Sequence, residues 1–206
     1  MSVLEMVKLL ADACYGFLAL NFLWGLFCVI VIWRRLGQLR FRSAAAETEF
    51  VDEMSELLRT KKYAAATERC DFDFRALPRL CLLMLTNREQ PYPQLRQLVS
   101  TNLQRHILAD LEHRLNWIVS VIKNGPLLGL FGTVLGMMAA FGRIGTGEKV
   151  LPSQIADEIS VALICTAMGL ATAIPLGYIL VTLNIRTRSL QESLESNLSR
   201  LLQYFR

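Results

Sequence analysis

The sequence predicts an all-α membrane protein in which three spanning helices extend into a cytoplasmic helical domain. Hydrophobic residues make up 53% of the 206 positions and charged residues only 19%, a lower charged share than in a typical soluble domain. The charges are also segregated, because residues 13–33, 124–142 and 159–185 contain none. Such segregation is typical of a chain that crosses a bilayer, and no strand pattern of any length is present.

Each charge-free stretch is long enough to cross a membrane, since about 20 helical residues span a hydrocarbon core of about 30 Å. We predict spanning helices at 13–33, 116–142 and 155–185. The first ends at Trp33, an interfacial residue type, and Arg34 and Arg35 follow it. A signal peptide is disfavoured because no basic segment precedes the stretch and no small-residue cleavage site follows it. A buried core helix is disfavoured because no amphipathic surface elsewhere is large enough to cover it.

Basic residues near the span ends predict the orientation of the chain. The flanks expected on one side hold eight arginines: Arg34, Arg35, Arg40, Arg42, Arg105, Arg114, Arg186 and Arg188. The flanks on the other side hold three basic residues: Lys8, Arg143 and Lys149. By the positive-inside rule, segment 1–12 and a short turn at 143–154 lie outside, while 34–115 and the C-terminal helix 186–206 lie in the cytoplasm. The net charge of +4 follows from this bias and gives little support to nucleic-acid binding.

The cytoplasmic segment is predicted to be a series of helices. Ala44–Thr60 places Phe50, Met54, Leu57 and Leu58 on one apolar stripe. Short helices are expected at 61–70 and 75–85, before a proline-containing break at 90–93. From Gln94 an apolar pattern leads without Gly or Pro into the second span, and a leucine stripe continues beyond the third span to Phe205. Ser153 is the expected N-cap of the third spanning helix.

Catalytic and metal-binding motifs are missing from the sequence. It contains no serine-hydrolase or zinc-protease motif, and residues 145–149 fail the spacing of a phosphate-binding loop. His106 and His113 lie seven residues apart on one predicted helix, where solvated or interhelical side chains are favoured over metal ligands. The five cysteines are odd in number and form no C-x-x-C pair, so we expect free thiols. The sequence predicts neither an enzyme nor a bound metal or cofactor.

Small residues recur along the second and third spans at helical spacing. They are Gly125, Gly129, Gly132 and Gly136 in the second span, and Ala162, Gly169, Ala173 and Gly177 in the third. Helices associate in lipid through such residues, because missing side chains let the backbones approach closely. We therefore predict tight packing of these two spans, within one subunit or between subunits. Pro126 and Pro175 are predicted to kink the two helices.

Thr133 and Thr166 place one hydroxyl near the middle of each of these two spans. Each hydroxyl can bond to its own helix backbone, so a structural role stays open, but as a pair they could line a polar path. A membrane proton site normally needs a carboxylate or a histidine, and Asp157 and Glu158 lie only at the outer edge of the third span. If the chain conducts protons, the titrating group must therefore come from another chain.

Two motifs resemble a known family. Residues 125–137, GPLLGLFGTVLGM, resemble the second-span signature of the ExbB/TolQ/MotA proton-channel family, close to its ExbB/TolQ branch. Residues 155–170, IADEISVALICTAMGL, with 173–175, AIP, resemble the third-span signature. Together the motifs cover about a quarter of the chain, and the three-span layout with a large first cytoplasmic loop matches over the whole of it.

This resemblance implies a stator-type motor subunit in a bacterial inner membrane. Family members form homopentamers around a dimer of a single-span ExbD/TolR/MotB-like partner, whose membrane Asp carries the proton. The family's pore-facing threonines correspond to Thr133 and Thr166. Proton flow would then be coupled to force on an envelope target, with nutrient uptake, envelope maintenance, gliding and secretion all left open. Proton rather than sodium specificity follows from the family branch alone.

One position departs from the family pattern. ExbB and TolQ usually have a Glu five residues before the third-span Thr, and Val161 stands there in this sequence. Glu158 lies about one helical turn earlier and could substitute for it, or the role is absent. Three alternatives to this motor subunit stay open: a non-conducting helical scaffold, a flagellar- or gliding-type stator of the same family, and a small-solute transporter. The transporter is disfavoured because inverted repeats are not evident.

Overall fold

The computed structural model describes residues 3–145 and 151–206, and most of these residues are helical. The elements in chain order are α1 (Val3–Leu39), α2 (Ala44–Arg59), α3 (Tyr63–Cys70), α4 (Ala76–Thr86), α5 (Tyr92–Asn102), a π-helical segment (Leu103–Leu108), α6 (Ala109–Gly145), α7 (Pro152–Leu202) and a 3₁₀ turn (Gln203–Phe205). No strand occurs within these described ranges. The predicted all-α fold class is confirmed.

Three of these helices are long and apolar enough to cross a membrane. α1 and α6 have 37 residues each and α7 has 51, and each contains a window of sufficient length and apolar composition. Since about 20 residues cross the hydrocarbon core, each helix must also continue well beyond it. The three predicted long apolar helices are therefore confirmed, while their membrane boundaries at 13–33, 116–142 and 155–185 stay predictions. Residues 146–150 of the predicted outer turn lie outside the described residues.

The first turn of α7 differs from the prediction. Ser153 is not the N-cap, because the helix already begins at Pro152. Proline suits this first position, since its fixed φ is helical and its missing N–H is not needed there. The side chain of Gln154 performs a capping function instead, because its Oε1 accepts a hydrogen bond from the Leu151 N–H at 3.3 Å.

The residues divide into two compact units. The first, here called the three-helix unit, contains α1 up to Ile30 and the stretch Leu115–Thr182 of α6 and α7. Its buried side chains include Leu18, Ile118 and Leu176. A second set of large apolar side chains is solvent-accessible in the single chain, such as Leu20 and Leu23 of α1 at 64% and 62% exposure. Exposing a side chain of this size to water costs about 1.5–3 kcal/mol, so this surface suits a lipid environment or contact with other chains.

The second, here called the multi-helix unit, contains Val31–Arg114 and Leu183–Arg206. Its core joins side chains of α2, α4 and α5 with leucines from the ends of α1 and α7, including Leu36 and Leu194. The predicted stripe of α2 lies in this core, with Phe50, Met54 and Leu58 buried and Leu57 half-buried. The unit is thus held together by burial of apolar area from water.

Polar contacts fix the position of α2 within the multi-helix unit. Glu47 accepts hydrogen bonds from Ser193 and, at 2.7 Å, from Asn197 of α7, and Arg200 pairs with Asp52 at 2.8 Å. The side chain of Ser43 caps α2 by accepting from the Ala46 N–H at 3.2 Å. These contacts set the register of α2 against the end of α7.

All five cysteines are free and buried, as the sequence predicts. Cys70 and Cys81 lie in the core of the multi-helix unit. A hydrogen bond between the two thiols lowers the pKa of Cys70, and the same bond, together with burial, raises the pKa of Cys81 well above its usual value. Both side chains serve as small apolar packing groups.

Candidate ion pathway

The backbones of α6 and α7 come into direct contact at two glycines of the three-helix unit. A Cβ placed on Gly129 would come within 2.7 Å of the Cys165 carbonyl oxygen and 2.9 Å of the Thr166 Cα. A Cβ placed on Gly169 would come within 2.6 Å of the Gly125 carbonyl oxygen. Real Cβ atoms do not approach backbone this closely, so only glycine permits this helix separation.

Other small residues extend the same contact along both helices. A Cβ on Gly132 would lie 3.0 Å from the Cys165 Sγ, and one on Gly136 would lie 2.5 Å from the Ala162 Cβ. Ala162 and Ala173 are buried. Gly177 differs from the rest, because a Cβ added there would meet no described atom within 4 Å. Seven of the eight small residues singled out in the sequence thus lie in buried or close-packed positions, and the eighth lies beside open space.

Both helices continue through their internal prolines, Pro126 and Pro175. Because proline has no N–H, the carbonyl four residues earlier loses its helical hydrogen bond. Next to one such position, the Asn21 side chain of α1 donates from Nδ2 to the Val121 carbonyl at 3.2 Å. Sequence reasoning missed Asn21, although a lone amide within an apolar span is itself a signal of a functional or packing role.

The contact at Gly129 brings Thr133 and Thr166 together. Their Oγ1 atoms are hydrogen-bonded to each other. The Thr133 Oγ1 also lies 3.0 Å from the Gly129 carbonyl oxygen and 3.3 Å from the Ala162 carbonyl oxygen. Thr133 is 5% exposed, so this polar group is enclosed between two apolar helices.

The two hydroxyls can form a directed series of hydrogen bonds. A hydroxyl has one proton to donate and two lone pairs that accept. If Thr133 donates to a backbone carbonyl, its oxygen remains free to accept the Thr166 proton, and Thr166 can in turn accept from a further group. A water molecule or a carboxylic acid could supply that further proton. The pair can therefore orient a proton donor without being ionised itself.

A cavity of about 510 Å³ lies between α1, α6 and α7, next to the threonine pair. Gly132 and Cys165, which directly precede the two threonines, are part of its lining. Charged side chains also line it: Asp12 of α1, Arg143 of α6, and Asp157 and Glu158 of α7. The space is large enough for several water molecules. It extends from the charged residues near the ends of these helices to the residues that directly precede the two threonines.

Within this cavity the charges are partly neutralised. Arg143 and Glu158 form an ion pair. A separate polar contact joins α1 to α7, because Tyr15 donates a hydrogen bond to the Val161 carbonyl at 2.8 Å. Val161, which occupies the position where ExbB and TolQ usually have Glu, lines the same cavity as Glu158. Asp12 and Tyr15 were not identified from the sequence, since Asp12 directly precedes the charge-free stretch and looks like an ordinary flanking charge.

These features define a multi-span helical membrane protein with an enclosed hydroxyl pair between two closely packed spans. The profile of the MotA/TolQ/ExbB proton channel family matches residues 76–196, which is more than half of the chain. The chain belongs to this family. The resemblance derived from residues 125–137 and 155–175 is thereby confirmed.

The chain is similar to curated proteins named TolQ and to others named ExbB. It is 34% identical over 85 residues to the Tol-Pal system protein TolQ of Haemophilus influenzae, a match covering 41% of this chain and 37% of that protein. It is 42% identical over 66 residues to the biopolymer transport protein ExbB of Aquifex aeolicus, covering 32% and 45%. It is 32% identical over 95 residues to ExbB of Neisseria gonorrhoeae, covering 46% and 43%. Each match spans less than half of the relative's own length.

Replacing Gly129 or Gly177 by Ala tests whether the close contact between α6 and α7 affects stability beyond the helix propensity of the new residue. We expect Gly129→Ala to lower the free energy of unfolding in mild detergent by about 1–3 kcal/mol, because the new Cβ meets rigid backbone. Gly177→Ala has open space and should leave stability unchanged or raise it by about 0.5–1 kcal/mol, the usual gain of Ala over Gly in a helix. Equal stability of the two variants in a denaturant titration would contradict the packing described here.

Proposed function

We propose that the protein is a stator-type proton-channel subunit that couples the proton-motive force across a bacterial inner membrane to mechanical work. The observation that carries this proposal is the Thr133–Thr166 hydrogen bond, enclosed between helices whose backbones touch at Gly129. Membership of the proton channel family supports it. Simple helix packing explains the glycines but gives no reason for two mid-span hydroxyls to face each other.

The titrating group belongs to a partner chain. Residues 124–142 and 159–185 contain no ionisable carboxylate, and a threonine hydroxyl does not ionise at physiological pH. A carboxylic acid on a single-span ExbD/TolR-like partner supplies the missing group. The threonine pair then accepts from or donates to that acid and to water, which holds the acid in one orientation during protonation and deprotonation.

Exposed apolar surfaces on α6 and α7 support assembly with other chains. Leu127 and Leu130 of α6 are 62% and 55% exposed in the single chain, and Ile174 of α7 is 58% exposed. A homopentamer around a partner dimer would cover part of this surface, and lipid would cover the rest. The proposed orientation, from the arginine bias, places the N-terminus outside and the C-terminus in the cytoplasm.

Two other functions give different experimental results. A non-conducting scaffold would use the same helix contacts for assembly alone, so its threonines would be replaceable without effect. A flagellar- or gliding-type stator would conduct ions through a partner of the MotB type. The ExbB/TolQ relatives favour the ExbD/TolR type of partner over the MotB type.

Native mass spectrometry tests the assembly. The chain is extracted in mild detergent, alone and co-expressed with a single-span ExbD/TolR-like protein from the same genome. We expect five copies of this chain with two copies of a partner that has an Asp in its span. A monomer or dimer that does not bind that partner would favour the scaffold.

Proton flux tests the two threonines. We expect Thr133→Val and Thr166→Val each to lower flux through the assembled complex in liposomes by about tenfold or more, the effect of losing one hydrogen bond to a charged group. The Ser variants keep the hydroxyl and should retain most of the flux. Thr182→Val is a matched control, because the Thr182 hydroxyl donates only to the Tyr178 carbonyl of its own helix. Normal flux in both Val variants, with assembly intact, would show that the two threonines are not part of the ion pathway.

Glu158 is proposed to assist ion entry from the outer side. We expect Glu158→Gln to lower flux by about tenfold or more, because it removes a carboxylate charge from the lining of the cavity. Adding Val161→Glu, which restores the usual family residue at another point of the lining, should recover flux. Glu192→Gln, which removes a carboxylate from an exposed pair with Arg188 in the multi-helix unit, serves as the control. Unchanged flux in Glu158→Gln would show that the role is absent.

A further inference from the structure

A second cavity lies wholly within the multi-helix unit. Its volume is about 370 Å³, and it is bordered by the end of α1, by α4, by the end of α5 and by the π-helical segment. Three of its lining side chains carry or can carry positive charge: Arg35, Arg79 and His106. Two others, Thr86 and Asn102, have hydrogen-bonding side chains. No carboxylate is among the described residues that line it.

The positive charge of this cavity is only partly compensated. Asp110 lies 3.4 Å from the Arg35 Nε and 3.0 Å from the Arg114 Nε, so one carboxylate is shared by two guanidinium groups. The Arg35 Nε is buried and makes no hydrogen bond. Arg79 and His106 form no ion pair with other described residues. The cationic donors that line the cavity therefore outnumber the carboxylates that pair with them.

The backbone brings these donors together from different parts of the chain. Arg79 lies on α4, whereas His106 belongs to the six-residue π-helical segment that joins α5 to α6. π-Helical insertions are rare and occur frequently at functional sites. Asn102 and Ile107, at the two ends of this turn, line the same cavity. Leucine side chains, such as Leu39 and Leu83, form its remaining wall.

We propose that this cavity binds a phosphate-class anion, either a phospholipid headgroup or a soluble phosphate ester. Guanidinium groups match phosphate geometry and form charge-assisted hydrogen bonds with it. The apolar wall suits the acyl chains that adjoin the headgroup of a phospholipid. Basic pockets near the cytoplasmic surface bind anionic headgroups in other membrane proteins. The anion site itself is inferred from the cavity alone. A lipid as the ligand rests also on the proposed orientation, in which Arg34 and Arg35 lie in the cytoplasm next to the membrane surface.

The test uses the full chain in mild detergent and two probes. Phosphatidylglycerol is titrated and its bound adducts are counted by native mass spectrometry, and glycerol phosphate is titrated by calorimetry. We expect the double variant Arg79→Gln, His106→Gln to bind at least about tenfold more weakly than the wild type. Arg105→Gln is the matched control, because Arg105 is an exposed cation on the same π-helical segment that does not line the cavity.

The outcomes separate the ligand sources and the alternative. Binding of phosphatidylglycerol without glycerol phosphate assigns the site to lipid, and binding of both assigns it to soluble phosphate esters as well. Equal binding by the wild type and the double variant, or an equal loss in Arg105→Gln, would overturn the proposal and leave a general effect of surface charge. Because neither readout measures proton flux or pentamer formation, a failure here is distinct from a failure of the proposed channel function.

Discussion

The backbone contact of α6 with α7 is the constraint on which the candidate ion pathway depends. At Gly129 and Gly169 even a methyl group would collide with the opposite backbone. Inside a membrane, burial from water no longer drives helices together, so van der Waals contact and polar groups must hold them. The close approach then places the Thr133 hydroxyl within hydrogen-bonding distance of Thr166 and of the Ala162 carbonyl. A wider separation would leave two isolated hydroxyls, each bonded to its own helix.

Helix α1 contributes more than an exposed apolar surface. Gly25 admits the side chains of Val121 and Leu176, which would lie within 2.9 Å of an added Cβ. Asn21 and Tyr15 donate hydrogen bonds to backbone carbonyls of α6 and α7. In an apolar environment such donors are costly unless paired, so these bonds fix how α1 packs. The charged lining of the adjacent cavity, with Asp12 from α1, is consequently built by all three helices.

The multi-helix unit follows different physics. It is stabilised by burial of apolar side chains such as Phe50 and Met54 away from water. Surface ion pairs such as Arg200–Asp52 contribute little to stability but help to fix how α2 and α7 align. Its cationic cavity is the exception, since only Arg35 of its three cationic lining residues has a carboxylate partner among the described residues. Binding of the proposed phosphate-class anion would stabilise this unit, as any ligand that binds only the folded state does.

The sequence by itself determined the fold class, the three apolar spans, the stripe of α2 and the family. The first three follow from periodicity and charge segregation, and the family follows from the resemblance of the two span motifs. All of these are local properties of the chain. It also placed Thr133 and Thr166 as candidates, but only the tertiary structure decided that they bond to each other. The cap of α7 was wrongly assigned to Ser153, and Asn21, Tyr15 and Asp12 were missed. Their roles depend on distances between residues about 100 to 150 positions apart, and such distances are set by packing, which no local pattern contains.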